Sequence, residues 1–181
     1  MMKKTLLILA AALSGVLAAG AQTGREWQDP AVNEINRLPM RSSFAAGERL
    51  SLDGVWKFHW VRNASERPSG IGAVDYDDAA WGSMPVPGMW ELNGYGDPVY
   101  VNIGYAWRGN FRNDPPYVPD AENHVGSYRR TFDIPASWGG KDIFLSIGSA
   151  TSNVYVWVNG RFVGYSEDLS LIHISEPTRL A

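Results

Sequence analysis

The stretch Asn153–Ser166, NVYVWVNGRFVGYS, decides the fold class of this chain. In its first half valines alternate with aromatic side chains, which is typical of a β-strand, and its second half has the same character. Between the halves stands Asn159-Gly160, the pair that most strongly favours a two-residue hairpin turn, because both turn positions need a positive φ. The stretch therefore predicts a β-hairpin with strands at Asn153–Val158 and Arg161–Ser166.

Alternation of this kind recurs along the chain, in Leu52–Val61, Ser127–Ile134 and Asp142–Ile147. In the first of these segments three aromatic residues share a face that we expect to lie in the core: Trp56, Phe58 and Trp60. The prolines of Arg108–His124 predict a long surface loop. Since no segment after residue 21 shows sustained helical periodicity, the sequence predicts an all-β fold, a jelly-roll β-sandwich rather than a barrel.

Composition limits the classes of function. The 181 residues suffice for one domain with a sizeable core, and the net charge of −3 without a basic patch argues against nucleic acid as a partner. The aromatic share of 12% suits both a β-rich fold and sugar recognition. Because the sequence contains no cysteine, it predicts neither a disulfide framework nor a lipid-attachment site.

The N-terminal residues differ in kind from the rest. Met1–Lys4 supplies positive charge, Thr5–Ala18 is apolar, and Ala19-Gly20-Ala21 fits a small-residue cleavage site. We interpret residues 1–21 as a secretory signal peptide, since the apolar run is too short for a membrane anchor. The expected location is therefore the periplasm or the extracellular space. Residues 22–50 are polar and irregular, and we expect an extended N-terminal arm.

The block Pro85–Trp107, PVPGMWELNGYGDPVYVNIGYAW, holds the main candidate site residue, Asn102. Turn residues interrupt its aromatic surface repeatedly, as in a rigid loop that displays polar groups. The Asn102 amide offers two donors and an acceptor, which suits it to the hydroxyls of a sugar. The alternative from this residue alone is that Asn102 caps a turn.

For the other polar and aromatic candidates, a structural role is an alternative to a functional one. For the acidic residues we expect solvated or capping roles, and they are Asp77, Asp78, Glu91 and Asp97. The histidines show no metal-ligand spacing, and the chain lacks a G-x-S-x-G turn, so we assign no catalytic residue and no metal ligand. Three tryptophans could stack on sugar rings or belong to the core: Trp90, Trp107 and Trp157.

Two further patterns concern charged residues. Arg129 and Arg130 are adjacent in a predicted strand, so their side chains point to opposite faces, and one should lie against a carboxylate or at an edge. The segment Asp75–Trp81, DYDDAAW, predicts an acidic turn that ends in an aromatic anchor. Both patterns indicate structural roles for charge.

The C-terminal segment breaks the pattern at Leu169. Leu169–Arg179, LSLIHISEPTR, is similar to an in-frame translation of a sequencing-library adapter, and we expect residues 169–181 to be non-native. A genuine strand followed by a proline-containing turn is the alternative. If the tail is non-native, the domain at residues 51–168 stops before the closing strands of its jelly roll.

Several segments together resemble one enzyme family. They are Arg25–Phe44, Ser51–Trp60, Asn123–Pro135, Gly148–Asp168 and the block around Tyr100-Val101-Asn102. The combination resembles the N-terminal portion of bacterial β-galactosidases of glycoside hydrolase family 2, whose first domain is a galactose-binding-domain-like jelly roll. The VWVNG-type hairpin alone is only moderately specific, because it occurs in many sugar-binding jelly rolls.

The resemblance implies a larger parent enzyme that acts on terminal β-linked galactose. In such enzymes immunoglobulin-like domains surround a (β/α)8 barrel, which carries two glutamates roughly 5–5.5 Å apart that act with retention. This chain lacks those glutamates. The resemblance implies that Asn102 binds galactose hydroxyls. It also implies that the parent enzyme binds magnesium and sodium, with ligands that lie mostly in the part absent from this chain, and it is compatible with a homo-oligomeric parent. The alternatives are a stand-alone carbohydrate-binding module and a structural domain that orders a larger assembly.

Overall fold

A computed structural model describes residues 24–39, 47–98, 116–150 and 152–167, together with the backbone of residues 173–174. The predicted signal peptide, most of the predicted tail and Asn102 lie outside the described residues. The described part contains strands, turns and short 3-10 helices but no α-helix, which confirms the predicted all-β class. None of its helices has the length and apolar character needed to cross a membrane.

The strands are short, and eight of them occur in the described part. They are β1 (Glu34–Ile35), β2 (Gly54–Val61), β3 (Gly82–Val86), β4 (Val125–Arg129), β5 (Ser146–Ile147), β6 (Val154–Val158), β7 (Arg161–Ser166) and β8 (His173–Ile174). The 3-10 helices are Glu26–Gln28, Ala64–Glu66, Glu91–Asn93 and Ala136–Trp138.

Two compact units divide the chain. We call Gly47–Asp133 with Asn159–Arg161 the sheet unit, because it contains the three-stranded sheet β3-β2-β4. The rest, Met1–Ala46 with Ile134–Val158 and Phe162–Ala181, is the hairpin unit, which contains the sheet β1-β7-β6 and the pair β5-β8.

The core of the sheet unit lies on one face of β2. Antiparallel pairing sets Phe58 opposite Tyr128 in β4 and Trp56 opposite Met84 in β3, so these side chains share a face. Phe58 and Met84 are fully buried, as expected for Phe58. Trp56 and Trp60 are only half-buried, because they lie nearer the ends of the strand. The Trp56 indole N–H donates to the Leu52 carbonyl, 2.8 Å away.

Strand β4 is shorter than the predicted Ser127–Ile134. The pairing of Lys57 with Arg129 would bring the residues after Arg129 beside the first residues of β2. The Arg130 guanidinium instead donates to the Leu52 and Asp53 carbonyls, at 2.5 and 2.9 Å. Side-chain hydrogen bonds therefore replace strand pairing where the alternating pattern continues.

The predicted hairpin is present as strands β6 and β7, which belong to the hairpin unit except for Arg161, whereas the turn residues are counted in the sheet unit. The turn residues Asn159 and Gly160 have φ values of 50° and 82°, as a type I′ turn requires. On the other side of β7 the arm supplies β1, in which Glu34 is opposite Ser166. The described part of the arm also includes the 3-10 helix Glu26–Gln28. The segment predicted at Asp142–Ile147 forms only the two residues of β5.

Candidate functional site

The block that carries the candidate site residue is described over its first part, Pro85–Pro98, within the sheet unit. Asn102 and Trp107 lie outside the described residues, so the role of Asn102 stays a prediction. Pro85–Pro98 leads directly to it along the chain, and its geometry fixes where that segment starts.

Turn chemistry shapes this part of the block. After β3, the chain forms the 3-10 helix Glu91–Asn93, and Gly94 ends it with a φ of 85°, the left-handed conformation that glycine adopts without strain. The Asn93 amide donates to the Met89 carbonyl at 2.7 Å and closes the turn on itself. The chain thereby reverses over a few residues and returns to the face of β2 that holds Phe58.

Trp90 attaches the block to the sheet. Its indole N–H donates to the Tyr128 hydroxyl at 2.5 Å, and its ring centroid lies 6.1 Å from that of Phe58. A Cβ atom on Gly126 in β4 would lie 2.5 Å from Cζ2 of Trp90, far inside van der Waals contact. Strand β4 therefore needs glycine at position 126 to admit the Trp90 ring.

Tyr95 makes a second attachment. Its ring meets that of Phe58 edge to face at 4.6 Å between centroids, and its hydroxyl donates to the Ser83 carbonyl at 3.4 Å. A Cβ on Gly82 would lie 2.6 Å from the Tyr95 hydroxyl oxygen. A Cβ on Gly96 would lie 3.3 Å from Cζ2 of Trp60. Aromatic packing thus fixes the block on β2 up to the residues just before Pro98.

The hydroxyl that receives the Trp90 N–H remains protonated at neutral pH. Burial raises the pKa of Tyr128 above its ordinary value, the hydrogen bond from Trp90 opposes this rise, and the Glu91 carboxylate adds to it. The Trp90–Tyr128 hydrogen bond should therefore be unaffected by pH over the neutral range.

Three of the acidic candidates, Asp77, Asp78 and Asp97, lie next to a backbone N–H or an arginine side chain. Asp77 accepts a hydrogen bond from the Ala79 N–H at 3.0 Å, which is the capping role expected of it. Asp78 forms an ion pair with Arg129 at 2.9 Å, as predicted for one of the adjacent arginines. Asp97 lies 3.7 Å from Arg62 at the surface, with its side chain 82% exposed.

Two of the histidines, His59 and His124, pack against tryptophan rings. The His59 ring stacks on Trp81 with 5.4 Å between centroids, which confirms Trp81 as the predicted aromatic anchor of the acidic turn. His124 packs edge to face on Trp60 at 5.0 Å. In the described ranges no three His, Asp or Glu side chains form a group that could hold a metal ion.

Of the tryptophan candidates, Trp90 belongs to the packing of the sheet unit, and Trp157 to that of the hairpin unit. Trp157 stacks on Tyr155 and contacts Phe162, with centroids 5.9 and 5.7 Å apart. A cleft in the hairpin unit is lined by five aliphatic residues together with glycine and polar residues: Ile35, Leu145, Ile147, Val154, Val156, Gly164, Asn36, Arg37, Tyr165 and Ser166.

Sequence reasoning missed the partners of Trp90. Tyr128 and Gly126 are more than thirty positions away along the chain, and only the register of β4 brings them to the Trp90 ring. A glycine inside a strand was the one available signal, because it often marks a close approach of another group.

Comparison with known proteins identifies the class. The antiparallel all-β architecture, with aromatic loops packed on its sheets, is common among sugar-binding β-sandwiches. Residues 50–173 match the model of the sugar binding domain of glycosyl hydrolases family 2. This match covers more than half of the sequence, and the chain therefore belongs to glycosyl hydrolases family 2, as its motifs predicted.

Similar proteins carry β-galactosidase names. The β-galactosidase of Halalkalibacterium halodurans is 40% identical over 154 residues, which are 78% of this chain and 15% of that protein. That of Priestia megaterium is 42% identical over 118 residues, 65% of this chain and 11% of that protein. The β-galactosidase large subunit of Leuconostoc lactis is 35% identical over 171 residues, 81% of this chain and 27% of that subunit. The chain thus spans a small part of each relative.

Proposed function

We propose that this chain is the N-terminal sugar-binding part of an exported β-galactosidase that hydrolyses terminal, non-reducing β-D-galactose residues with retention of configuration. The match of residues 50–173 to the sugar binding domain, with relatives named β-galactosidases, is the observation that supports it most. Catalysis belongs to the remainder of the enzyme, and the 181-residue chain alone has no hydrolytic activity. Its substrate class is a β-galactoside or a galactose-containing glycan.

Asn102 has the role of orientation in this proposal. Its amide binds galactose hydroxyls while two glutamates elsewhere in the enzyme act on the glycosidic bond. Holding the sugar in place lowers the entropy that must be lost at the reacting bond. The segment before Asn102 is packed on a buried aromatic cluster around Phe58, which supports a fixed starting point for such a residue.

The remaining parts of the proposal concern processing and assembly. Residues 1–21 are removed as a signal peptide, and residues 169–181 are a non-native tail. A stand-alone carbohydrate-binding module is the second candidate, favoured by the description of the matched family as a sugar binding domain. It differs from the first in requiring that the isolated chain bind galactose by itself.

A hybrid enzyme tests the first candidate. Residues 24–167 replace the matched segment of the Halalkalibacterium halodurans β-galactosidase, and hydrolysis of a synthetic β-galactoside is measured. We expect turnover by the hybrid, and a rise in KM of about tenfold or more when Asn102→Ala removes hydrogen bonds to the sugar.

Asn63→Ala is the matched control, because the Asn63 amide donates to Glu66 outside the block Pro85–Trp107. It should leave KM unchanged. Equal KM values for Asn102→Ala and the unsubstituted hybrid would contradict the role of Asn102. Turnover by the isolated 181-residue chain would contradict its proposed dependence on a separate catalytic part.

A further inference from the structure

We infer that β5 and the cleft beside it form a groove that accepts an extended strand with an aliphatic side chain opposite Ile147. The occupant is the segment of the parent enzyme that continues after Asp168. In this respect the inference rests on the proposed function, because a longer parent enzyme supplies that segment. In this chain the backbone of His173–Ile174 pairs with β5 in its place.

The first observation is the strand that already pairs with β5. It is β8, which runs antiparallel to β5 with Ser146 opposite Ile174 and Ile147 opposite His173. Within the described ranges, β5 and β8 pair only with each other. The backbone of β5 therefore accepts an added strand, which is the contact that recognition of extended peptides by β-augmentation uses.

The second observation is the cleft on one face of β5. Leu145 and Ile147 line it, and alternate residues of an extended segment project to the same face. Ser146, which stands between them, is exposed. Across the cleft, aliphatic side chains of the neighbouring sheet complete the lining, and they are Val154, Val156 and Ile35. The groove is therefore aliphatic on the side of β5 that faces the cleft.

The polar residues of the cleft have partners within the hairpin unit. The Asn36 amide donates to the Val163 carbonyl at 3.1 Å, and the Tyr165 hydroxyl donates to Glu167 at 2.6 Å. Arg37 forms an ion pair within the arm. Because these groups are already engaged, the cleft offers an occupant mainly aliphatic surface, and a hydrocarbon side chain is favoured there over a polar one.

The register determines which residue of the occupant meets the cleft. In an antiparallel pair, directly opposite residues project to the same face. The position opposite Ile147 is therefore on the cleft side, and the position opposite Ser146 is on the exposed side. His173 holds the first of these positions in this chain. A polar residue thus stands where the groove favours an aliphatic one, which agrees with the proposal that residues 169–181 are non-native.

A substitution at position 173 of the 181-residue chain tests the groove. His173→Leu supplies an aliphatic side chain, and we expect it to raise the urea midpoint by about 0.5–1 M. Ile174→Leu is the matched control, because position 174 is opposite the exposed Ser146, and it should shift the midpoint by less than about 0.3 M. No rise for His173→Leu, or an equal rise for both variants, would overturn the inference.

An engineered disulfide tests the register, because the chain contains no cysteine of its own. Ser146→Cys with Ile174→Cys puts two thiols at opposite positions, where the Cα separation of paired strands suits a disulfide. Ser146→Cys with His173→Cys is one position out of register, and its thiols belong to opposite faces. We expect air oxidation to close the first pair at least about tenfold faster. Equal rates would overturn the pairing on which the groove depends.

Replacement of the tail tests the identity of the occupant. Residues 169–181 are exchanged for a segment of equal length that continues the matched region in the Halalkalibacterium halodurans β-galactosidase. We expect the urea midpoint to rise by about 0.5 M or more, and a scrambled version of the same segment to give no rise. Equal midpoints for the two segments would overturn the assignment of the occupant.

Two further outcomes separate this inference from its alternatives. A urea midpoint that rises with protein concentration would show that a second copy of the chain fills the groove, and it would overturn the assignment as well. An inactive hybrid enzyme would contradict the proposed function alone, because none of the three measurements on the groove depends on catalysis.

Discussion

The sheet unit and the hairpin unit are stabilised in different ways. The sheet unit is almost one continuous stretch of chain, Gly47–Asp133. Its own Trp90 and Trp81 pack on opposite faces of β2, on Phe58 and His59. The hairpin unit brings together an N-terminal arm and much later strands. The difference shows that the segment leading to Asn102 starts from the unit that depends least on distant parts of the chain.

On its outer face the sheet unit is held by Arg129. The guanidinium donates to Asp78 at 2.9 Å, to the Ala73 carbonyl at 3.1 Å and to the Ile71 carbonyl, and it lies over the Tyr76 ring. These partners all belong to one loop of the same unit. Local contacts therefore close both faces of the sheet.

In the hairpin unit, tyrosine–carboxylate pairs hold chain segments together. Glu26 in the arm is only 4% exposed, and it accepts a hydrogen bond from the Tyr155 hydroxyl at 2.9 Å. The Tyr165 hydroxyl donates to Glu167 at 2.6 Å. Burial, with the carboxylates that accept their hydrogen bonds, raises the pKa of both tyrosines. The arm thus depends on a polar contact to a residue far along the chain.

The largest effect should come from the aromatic core of the sheet unit. Phe58→Ala removes a side chain that is 1% exposed and contacts Trp90, Tyr95 and Tyr128, so it should lower the free energy of unfolding by about 3–5 kcal/mol. Urea unfolding measures the change. Phe132→Ala, at a position 43% exposed, is the control and should cost less than about 1 kcal/mol. Equal losses would contradict the account of this core.

Gly126→Ala sharpens the comparison within the same unit. The added methyl group would overlap Trp90 and Phe58, so we expect a loss of about 1–3 kcal/mol in urea unfolding. Gly47→Ala is matched in chemistry, and its Cβ would meet nothing within 4 Å. A loss at Gly47 as large as that at Gly126 would show that backbone freedom, rather than contact with Trp90, determines the effect.

Tyr155→Phe tests the hairpin unit. It leaves the buried Glu26 carboxylate without its phenol donor, and we expect a loss of about 1–3 kcal/mol. Hydrogen exchange should show the loss first at amides of the arm, Gly24–Pro39, and little change in β2. Uniform loss of protection in both units would contradict their independent stabilisation. Tyr117→Phe, at an exposed tyrosine, provides the control and should have no effect.

Alkaline pH should have a smaller, graded effect. Below pH 10 the tyrosines are protonated in both folded and unfolded chains, so they add no pH dependence. Above pH 10 the unfolded chain ionises first, because burial raises the pKa of Tyr155 and Tyr165 in the folded chain. Stability should then fall by at most about 1.4 kcal/mol per pH unit for each tyrosine. Urea unfolding at pH 9 and 11 measures this fall.

Tyr165→Phe should reduce the alkaline loss, because it removes one of the groups responsible. A loss of the same size in this variant and in the unsubstituted chain would show that other groups cause it.

Sequence alone predicted the features that depend on local chemistry. The Asn159-Gly160 turn, the face of β2 that holds Phe58 and the anchor at Trp81 all follow from patterns within a few residues. The predicted end of strand β4 was wrong. Arg130 donates hydrogen bonds to the Leu52 and Asp53 carbonyls just before β2, and no local sequence pattern encodes this contact.

The candidate site divides in the same way. The sequence alone indicated that an amide side chain stands at position 102 and that turns precede it. The role of Asn102 in binding remains a prediction. The attachment of Trp90 to Tyr128 and Gly126 was not visible, because it depends on strand register.

Titration of the isolated chain with galactose, followed by tryptophan fluorescence, tests the central claim most directly. In the proposed function, this domain contributes one side of a galactose site whose other side lies elsewhere in the enzyme. This arrangement predicts no saturable response by the chain alone, and the same result for Asn102→Ala. A saturable response that Asn102→Ala abolishes would contradict the account and establish a stand-alone sugar-binding module.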